Sequence, residues 1–421
     1  MTPTVLINAG PWLPVPPAGY GGIETVLATL IPQLRRHGVR VILATVGHSD
    51  IEVDEQISVF GEPQFGRLTE PYNDVVGIAA AHMQRVTAEL RRRSDIDLVH
   101  DHMEVFGPSA LAGMASDRPP VLHTLHWDLT KHPAFYNSFD EPRSFYVNGV
   151  SAAQLNRAPP RLARHSLGHV HLATPLAHRA TRRPREIKGD HLVMVARVTR
   201  RKGQHIAARL ARRLGRKLVL AGPIGPYPTA QHLAADPHAG RYPDVRYWHE
   251  HVAPHVDGHQ VRWVGNVTGP RRDHLVATAR ATLFPVCWDE PGGTAIVESL
   301  ALGTPVVGYR RGCLPELVEP GTGLLAPVDD EEALAELVAR VDDIDTVFCC
   351  EVAERRFTPA VMAAAYFDLY DRCITGRRPG AALNETHTAA ARRTDGQHHH
   401  PSAPAPRSAG RADRRRSEPT R

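Results

Sequence analysis

Asp289-Glu290-Pro291-Gly292-Gly293-Thr294-Ala295-Ile296-Val297-Glu298 joins a short apolar run, 283–287, to a stretch of helical character that reaches about residue 302. The run reads as a strand end and the stretch as a helix, with Pro291 suited to its first turn. Gly292-Gly293 permits close approach of a ligand to the backbone, and the unpaired N–H groups of a first helical turn favour an anion. Glu298 lies about one turn inside this helix, so Glu290 and Glu298 can address one ligand. The segment is therefore a strand–loop–helix unit with polar chemistry at its carboxyl end.

Outward from that unit the pattern repeats. In the front half, apolar runs at 5–8, 39–45, 97–102, 121–126, 145–150 and 169–174 alternate with amphipathic stretches such as 24–36 and 75–92. A second series follows at 192–198, 217–221, 261–264, 282–285, 305–309 and 323–326. Short continuous apolar runs separated by helices predict parallel sheets covered on both faces. The expected fold class is α/β, with two Rossmann-like doubly wound domains facing each other across a cleft. The predicted boundaries are 1–176 for the first domain, 177–190 for a polar, basic linker and 191–358 for the second domain. A last helix at 359–374, carrying Tyr366, Leu369 and Tyr370, is expected to cross back onto the first domain. Residues 375–421 are rich in Arg, Gly, Pro, Ala, Ser and His, and predict a disordered basic tail. Ligands of such sheets bind at the carboxyl ends of the strands, here at the cleft.

Bulk properties narrow the function. The 421 residues are 42% hydrophobic, enough for large cores. No apolar run reaches the roughly 20 residues of a membrane span, and the N-terminus reads as a first strand rather than a signal peptide. Five cysteines, an odd and sparse set, predict reduced thiols and a cytoplasmic setting. The net charge of +5 is modest, and much of it sits in the tail, which argues against nucleic acid as a partner.

Further clusters fall at predicted strand ends. Ala196-Arg197-Val198-Thr199-Arg200-Arg201-Lys202-Gly203 follows the first strand of the second domain. Arg197 as a fork and Lys202 as a point charge can neutralise a diphosphate there. Tyr20-Gly21-Gly22-Ile23-Glu24 opens the first helix; Gly21 and Gly22 expose N–H groups for an anion. It is neither a dinucleotide glycine pattern nor a Walker loop, and alone it is no more than a tight turn. His100-Asp101-His102 and His123-Thr124-Leu125-His126-Trp127-Asp128 end strands at the cleft, where His126 can orient a substrate or carry a proton. His249, His251, His255 and His259 have metal-like spacing, but in a chain with 25 histidines chance clustering is the better account. A sugar joined to a diphosphate meets these demands together: an anion for the N–H groups and cations, and hydroxyls for the carboxylates.

On these residues the chain resembles the retaining glycosyltransferases of family 4, the glycosyl transferases group 1, which have the two-domain GT-B architecture. The resemblance runs over roughly residues 5–374. It rests on the E-x7-E motif matched by Glu290 and Glu298, and on the phosphate motif matched from Ala196-Arg197 to Lys202-Gly203. Gly21-Gly22 matches the amino-terminal glycine loop. It implies that Glu290 contacts the transferred sugar and Glu298 the nucleotide ribose. Arg197 and Lys202 would hold the diphosphate, and the backbone of Gly292, Gly293 and Thr294 would support sugar and phosphate. Asn266 and Val267 would lie near the base, and His126 would be the cleft histidine. It further implies transfer with retention from a nucleotide-diphosphate sugar, a UDP-sugar first among them, and no need for a metal or other cofactor, since cations and a helix end stabilise the leaving diphosphate. Two departures stand out: Ala196 replaces a glycine, and Thr174-Pro175-Leu176-Ala177-His178 stands where an Asn-Gly-Val/Ile-Asp element is expected.

Other functions fit the residues less well. A sugar-nucleotide epimerase of this architecture needs further acids in the cleft, and a phosphorylase-like enzyme needs a cofactor lysine, for which Lys202 alone is suitably placed. A non-catalytic scaffold would bind anionic partners or a membrane surface through the basic tail. The acceptor region, residues 10–20 and 127–141, carries no readable code, and the oligomeric state is not encoded in any motif.

Overall fold

The computed structural model describes residues 3–19, 21–114, 119–140, 144–182 and 186–376. The predicted basic tail, apart from its first two residues, therefore lies outside the described residues, as does Tyr20. Two parallel sheets form the frame. The first contains β1 (Thr4–Asn8), β2 (Arg40–Ala44), β3 (Glu55–Ile57), β4 (Leu98–Asp101), β5 (Val121–Thr124), β6 (Phe145–Gly149) and β7 (Ser166–His169), in the order β3-β2-β1-β4-β5-β6-β7. The second contains β8 (His191–Val195), β9 (Lys217–Ala221), β10 (Val261–Trp263), β11 (Ala281–Phe284), β12 (Val306–Tyr309) and β13 (Gly323–Ala326), in the order β10-β9-β8-β11-β12-β13. Every pairing is parallel. Strands β4, β5, β6, β11 and β12 are buried from end to end, and β1 and β8 except at their ends, which is why they read as continuous apolar runs rather than as alternations.

In both sheets the strand order reverses beside the first strand, between β1 and β4 and between β8 and β11. A crevice opens at the carboxyl ends on either side of such a reversal, because the flanking connections leave to opposite faces. The helices that matter here are α1 (Gly22–Arg36), α2 (Tyr72–Arg92), α3 (Gln204–Arg213), α4 (Thr294–Ala301), α5 (Thr346–Arg356) and α6 (Pro359–Thr375).

Helix α6 shows how local sequence sets the chain path. Pro359 opens it, the Thr358 side chain accepts from the Val361 N–H, and Gly376 ends it in the left-handed region at φ 70°. Met362, Ala363, Tyr366, Leu369, Tyr370 and Cys373 recur at helical spacing and are buried in the first lobe's core with Leu27, Leu30 and Leu34 of α1. Each large buried side chain contributes about 1.5–3 kcal/mol. The helix adjacent in sequence, α5, packs instead in the second lobe, with Val352 and Ala353 against Ile296 and Leu300 of α4. The chain thus returns between lobes at the 357–358 turn.

The structure differs from the sequence reading in several places. The seventh strand of the first sheet is Ser166–His169, not 169–174. Residues 170–174 alternate like a strand, but they leave the sheet to meet the second lobe, where the Thr174 N–H donates to the Phe357 carbonyl at 3.0 Å. Helix α4 starts at Thr294, so Pro291 precedes it rather than capping it; Gly293, at φ 61°, is its left-handed N-cap. The short strand β3 and helix α5 were not foreseen. The polar segment 177–190 is not a solvated tether throughout. Ala177 and Ala180 are buried, Ala177 against α4, and residues 183–185 lie outside the described ones.

Candidate functional site

The loop after β8 carries Arg197 and Lys202, and the loop after β11 carries Glu290. Both therefore stand at the strand-order reversal of the second sheet. Gly203, at φ 80°, caps α3, and a Cβ there would run into the Pro285 carbonyl, so the two loops are locked together by a position only glycine satisfies. That contact brings Lys202 Nζ to 2.5 Å from Glu290 Oε2. The same carboxylate oxygen accepts from Trp288 Nε1 at 3.1 Å, and the Glu290 carbonyl accepts from the Cys313 N–H at 2.9 Å. Arg197 Nε lies 3.9 Å from Asp244 Oδ2. Burial pushes the Asp244 carboxyl up, with Arg197 pulling the other way.

Glu298 does not share the cation of Glu290. Arg272, on the helix Gly269–Ala277, reaches its two carboxylate oxygens at 3.2 and 3.3 Å and also bonds Asp273. Burial raises the Glu298 carboxyl, and Arg272 opposes the shift. The two glutamates are thus two separate ion pairs at one cleft edge, not a carboxylate dyad. Asn266 and Val267 lie in the loop after β10. The Asn266 N–H donates to the Pro228 carbonyl, and its side-chain nitrogen faces Gly19 of the first lobe. Val267 is buried.

The glycines of the 291–294 loop serve the protein's own packing. A Cβ on Gly292 would sit 2.6 Å from Leu172 Cδ1 and 3.3 Å from Val150 Cγ2, both first-lobe atoms. One on Gly293 would meet Leu317 and Cys313. The space beside their Cα atoms holds side chains that seat the loop and Thr294 on the lobe boundary, a packing role that the sequence did not reveal.

From the first lobe, Gly21 is the N-cap of α1 and Gly22 its first residue. The anion-favouring turn already holds an acid. Glu24 is buried there, its carboxyl raised to about 7 by burial, with its own backbone N–H opposing. A cavity at the lobe boundary is lined by Asp128, Gln154 and Arg157 on one side and by Asp289, Glu290 and Gly312 on the other. Arg157 forms an ion pair with Asp289 across it, and Arg201 Nη1 lies 3.7 Å from Asp128. Lys131 stacks on the Trp127 ring at 3.5 Å; burial holds its ammonium below the usual range.

His126 stands just beyond β5, half-buried, its Nε2 2.8 Å from His102 Nδ1. Burial, with the charge of His123 beyond it, holds its imidazole down to about 4 against the pull of Glu104, so it is neutral at pH 7. Beneath it lies a sealed network that sequence reading missed. Glu104 Oε1 accepts from the N–H groups of His126 and Trp127 at 2.6 and 2.8 Å, and Oε2 accepts from the Tyr136 hydroxyl at 2.6 Å. His123 Nδ1 meets Asp101 Oδ2 at 2.7 Å, and its Nε2 is 3.6 Å from Glu104, an ion-pair rather than a hydrogen-bond distance. Burial alone would lower His123 and raise Glu104. The two flanking carboxylates instead push the imidazole up to about 9, and His123 with Tyr136 holds Glu104 at about 2. A charged Asp101–His123–Glu104 triad thus fixes the backbone at His126 and Trp127. On the other side, His100 bonds Thr124 and Tyr370 of α6.

The histidines at 249–259 do not converge. Among the described residues, the His/Cys/Asp/Glu group compact enough to hold an ion is instead His169, His171 and Glu316.

Two doubly wound lobes, one on each parallel sheet, are the GT-B architecture. A family model described as "Glycosyl transferases group 1" matches residues 180–344, and one described as "Glycosyltransferase Family 4" matches residues 20–163. The chain belongs to the group 1 glycosyltransferase family of GT-B architecture. One relative is WcaL of Escherichia coli strain K12, whose name assigns it to colanic acid biosynthesis as a glycosyltransferase. It is 27% identical over 188 residues, 41% of this chain and 42% of that protein. Its Salmonella typhimurium counterpart is 29% identical over 164 residues, 37% and 36% of the two chains. The match spans less than half the length of these curated relatives. Among solved structures, AviGT4, a glycosyltransferase involved in avilamycin A biosynthesis, has a TM-score of 0.60 at 25% identity, over 89% of this chain and 99% of its own. Sucrose-phosphate synthase of Thermosynechococcus elongatus has a TM-score of 0.67 at 20% identity, over 90% and 100%. Among the described residues no helix is long and apolar enough to cross a membrane.

Proposed function

We propose that this protein transfers a hexose-type sugar from a nucleotide-diphosphate sugar, a UDP-sugar first among candidates, to an acceptor, with retention of configuration and without a metal. Arg197 and Lys202 would hold the diphosphate, Glu290 the transferred sugar and Glu298 the ribose. Asn266, Val267 and the backbone of Gly292 to Thr294 would complete the donor pocket. The observation that carries this reading is the Lys202–Glu290 pair at the strand-order reversal of the second sheet. A diphosphate competes with Glu290 for the ammonium, because it bears more charge and more acceptor oxygens. The carboxylate released by that exchange can turn to sugar hydroxyls. The ion pair is thus a preformed, partly solvent-exposed site in which an incoming donor replaces one anion by another. Negative charge growing on the leaving diphosphate meets cations already in place, which lowers the barrier without reorganisation. His126, neutral and braced by Glu104, can accept a hydrogen bond from a hydroxyl or donate one, according to tautomer.

The test is a thermal-shift panel of UDP, GDP and ADP sugars on the full chain, followed by mass spectrometry of products with the best donor and NMR of the anomeric proton. Stabilisation by a sugar nucleotide in the wild type, absent in Lys202→Ala, supports the assignment. Equal stabilisation of both proteins removes the donor site from this cleft edge.

A further inference from the structure

At the lobe boundary, outside the groups used above, two histidines of the first lobe face one glutamate of the second. We propose that His169, His171 and Glu316 form a binding site for a divalent transition cation of the zinc class, bridging the two lobes. His169 ends β7, and His171 lies two residues on in the segment that leaves the sheet; their rings lie side by side, centroids 4.8 Å apart. Glu316 projects from the one-turn helix Leu314–Leu317. Its Oε2 is 3.1 Å from His171 Nε2 and 4.0 Å from His169 Nε2, and one donor atom from each residue lies within 4.8 Å of the others. Bonds from zinc to imidazole nitrogen and carboxylate oxygen are about 2.0–2.2 Å. His171 Nε2 and Glu316 Oε2 share a hydrogen bond, so an ion bound by all three donors takes the place of the proton between them.

The surroundings match what such a ligand set needs. Glu316 Oε2 accepts from the Ala152 N–H at 2.8 Å and Oε1 from the Ala153 N–H at 2.6 Å. These bonds fix the carboxylate while leaving lone pairs for an ion. The three side chains are 20–33% exposed, so a fourth position stays open to water. Two imidazoles with one carboxylate favour zinc-class ions over Mg²⁺ or Ca²⁺, which prefer all-oxygen sets. The bridge lies close to the Gly292–Leu172 contact, so a bound ion would hold together the same boundary on which the 291–294 loop is seated.

The experiment is a Co²⁺ titration of the full chain, read by visible absorption and by equilibrium dialysis, with Zn²⁺ competition. The comparison protein is the His169→Ala/His171→Ala double variant. Any ion taken up by His398-His399-His400 is common to both proteins. The expected result is one more equivalent bound by the wild type than by the variant, with a tetrahedral Co²⁺ band that Zn²⁺ displaces. Glu316→Gln, which keeps an amide acceptor for Ala152 or Ala153, is expected to lower the Zn²⁺ affinity at least tenfold, and covers the case of a poorly folded double variant. Equal stoichiometry and spectra in wild type and both variants overturn the proposal, as does Co²⁺ binding at millimolar concentration only. Neither outcome bears on the proposed transfer reaction, which does not involve this site.

Discussion

The two lobes share one topology and use it in opposite ways. At the carboxyl edge of the second sheet, the charges are paired but remain partly open: the Lys202 and Arg272 side chains are each 26% exposed. At the corresponding edge of the first sheet the charges are sealed, with His123, Asp101 and Glu104 side chains at 1% exposure or less. An open pair can exchange its partner for a ligand at modest cost. A sealed pair cannot, because removing one charge leaves the other buried without compensation. The difference separates a region built to bind from one built to hold backbone in place.

The sharpest way to break this comparison is Lys202→Ala or Arg197→Ala. Either is expected to reduce transfer at least about 100-fold, the scale of losing a preorganised charge-stabilising donor, while changing stability by no more than about 1 kcal/mol, as for exposed pairs. Steady-state kinetics and urea denaturation together read both numbers, and near-wild-type turnover sinks the assignment. Glu104→Ala is expected to do the reverse of the cation variants in stability, costing about 3–5 kcal/mol by removing one of the two carboxylates that flank the buried His123 and leaving the His126 and Trp127 N–H groups and the Tyr136 hydroxyl without their acceptor. If urea denaturation shows a loss under 1 kcal/mol, the triad is not a buried ion pair. Glu298→Ala should weaken donor binding by about 1.5–3 kcal/mol, the worth of hydrogen bonds to a charged group. Calorimetry with a sugar nucleotide checks this, and unchanged affinity would falsify a ribose contact.

The smallest effect is on pH. The His123 imidazole is raised above its unfolded value, up to about 9. Its contribution to stability is therefore complete below about pH 6.5 and is lost as pH rises through 9. The melting temperature of the wild type should decline across that window, and the decline should be shallower in His123→Gln. Matching slopes in the two proteins would show that the histidine is neutral in the folded state.

Much of the fold was legible because parallel strands buried on both faces leave a simple trace, runs of Val, Ile and Leu. Eleven of the thirteen strands fall within or overlap closely with such runs; β3, with only Ile57 buried, leaves no trace, and β7 was displaced because Val170, Leu172 and Ala173 are buried like strand residues although they lie beyond the sheet. The placing of Arg197, Lys202 and Glu290 at the carboxyl ends of the second sheet was legible because each lies in a loop between a readable strand and a readable helix. Arg272 was not, since Arg271-Arg272-Asp273 reads as a solvated charge run until the fold turns Arg272 toward Glu298. Glu104 looked like an ordinary polar residue after a strand, and its partners lie 19 to 32 positions away.

By itself, then, the sequence determined the alternation of strand and helix, the two-lobed class and the polar groups that end at the cleft, because periodicity and short-range spacing are properties of neighbours along the chain. Only the tertiary structure decided which cation each carboxylate faces, that Gly292 and Gly293 make room for Leu172, Leu317 and Cys313, and that His126 rests on a buried charged triad. Those outcomes depend on close approach and desolvation between distant segments, and no local pattern carries that information.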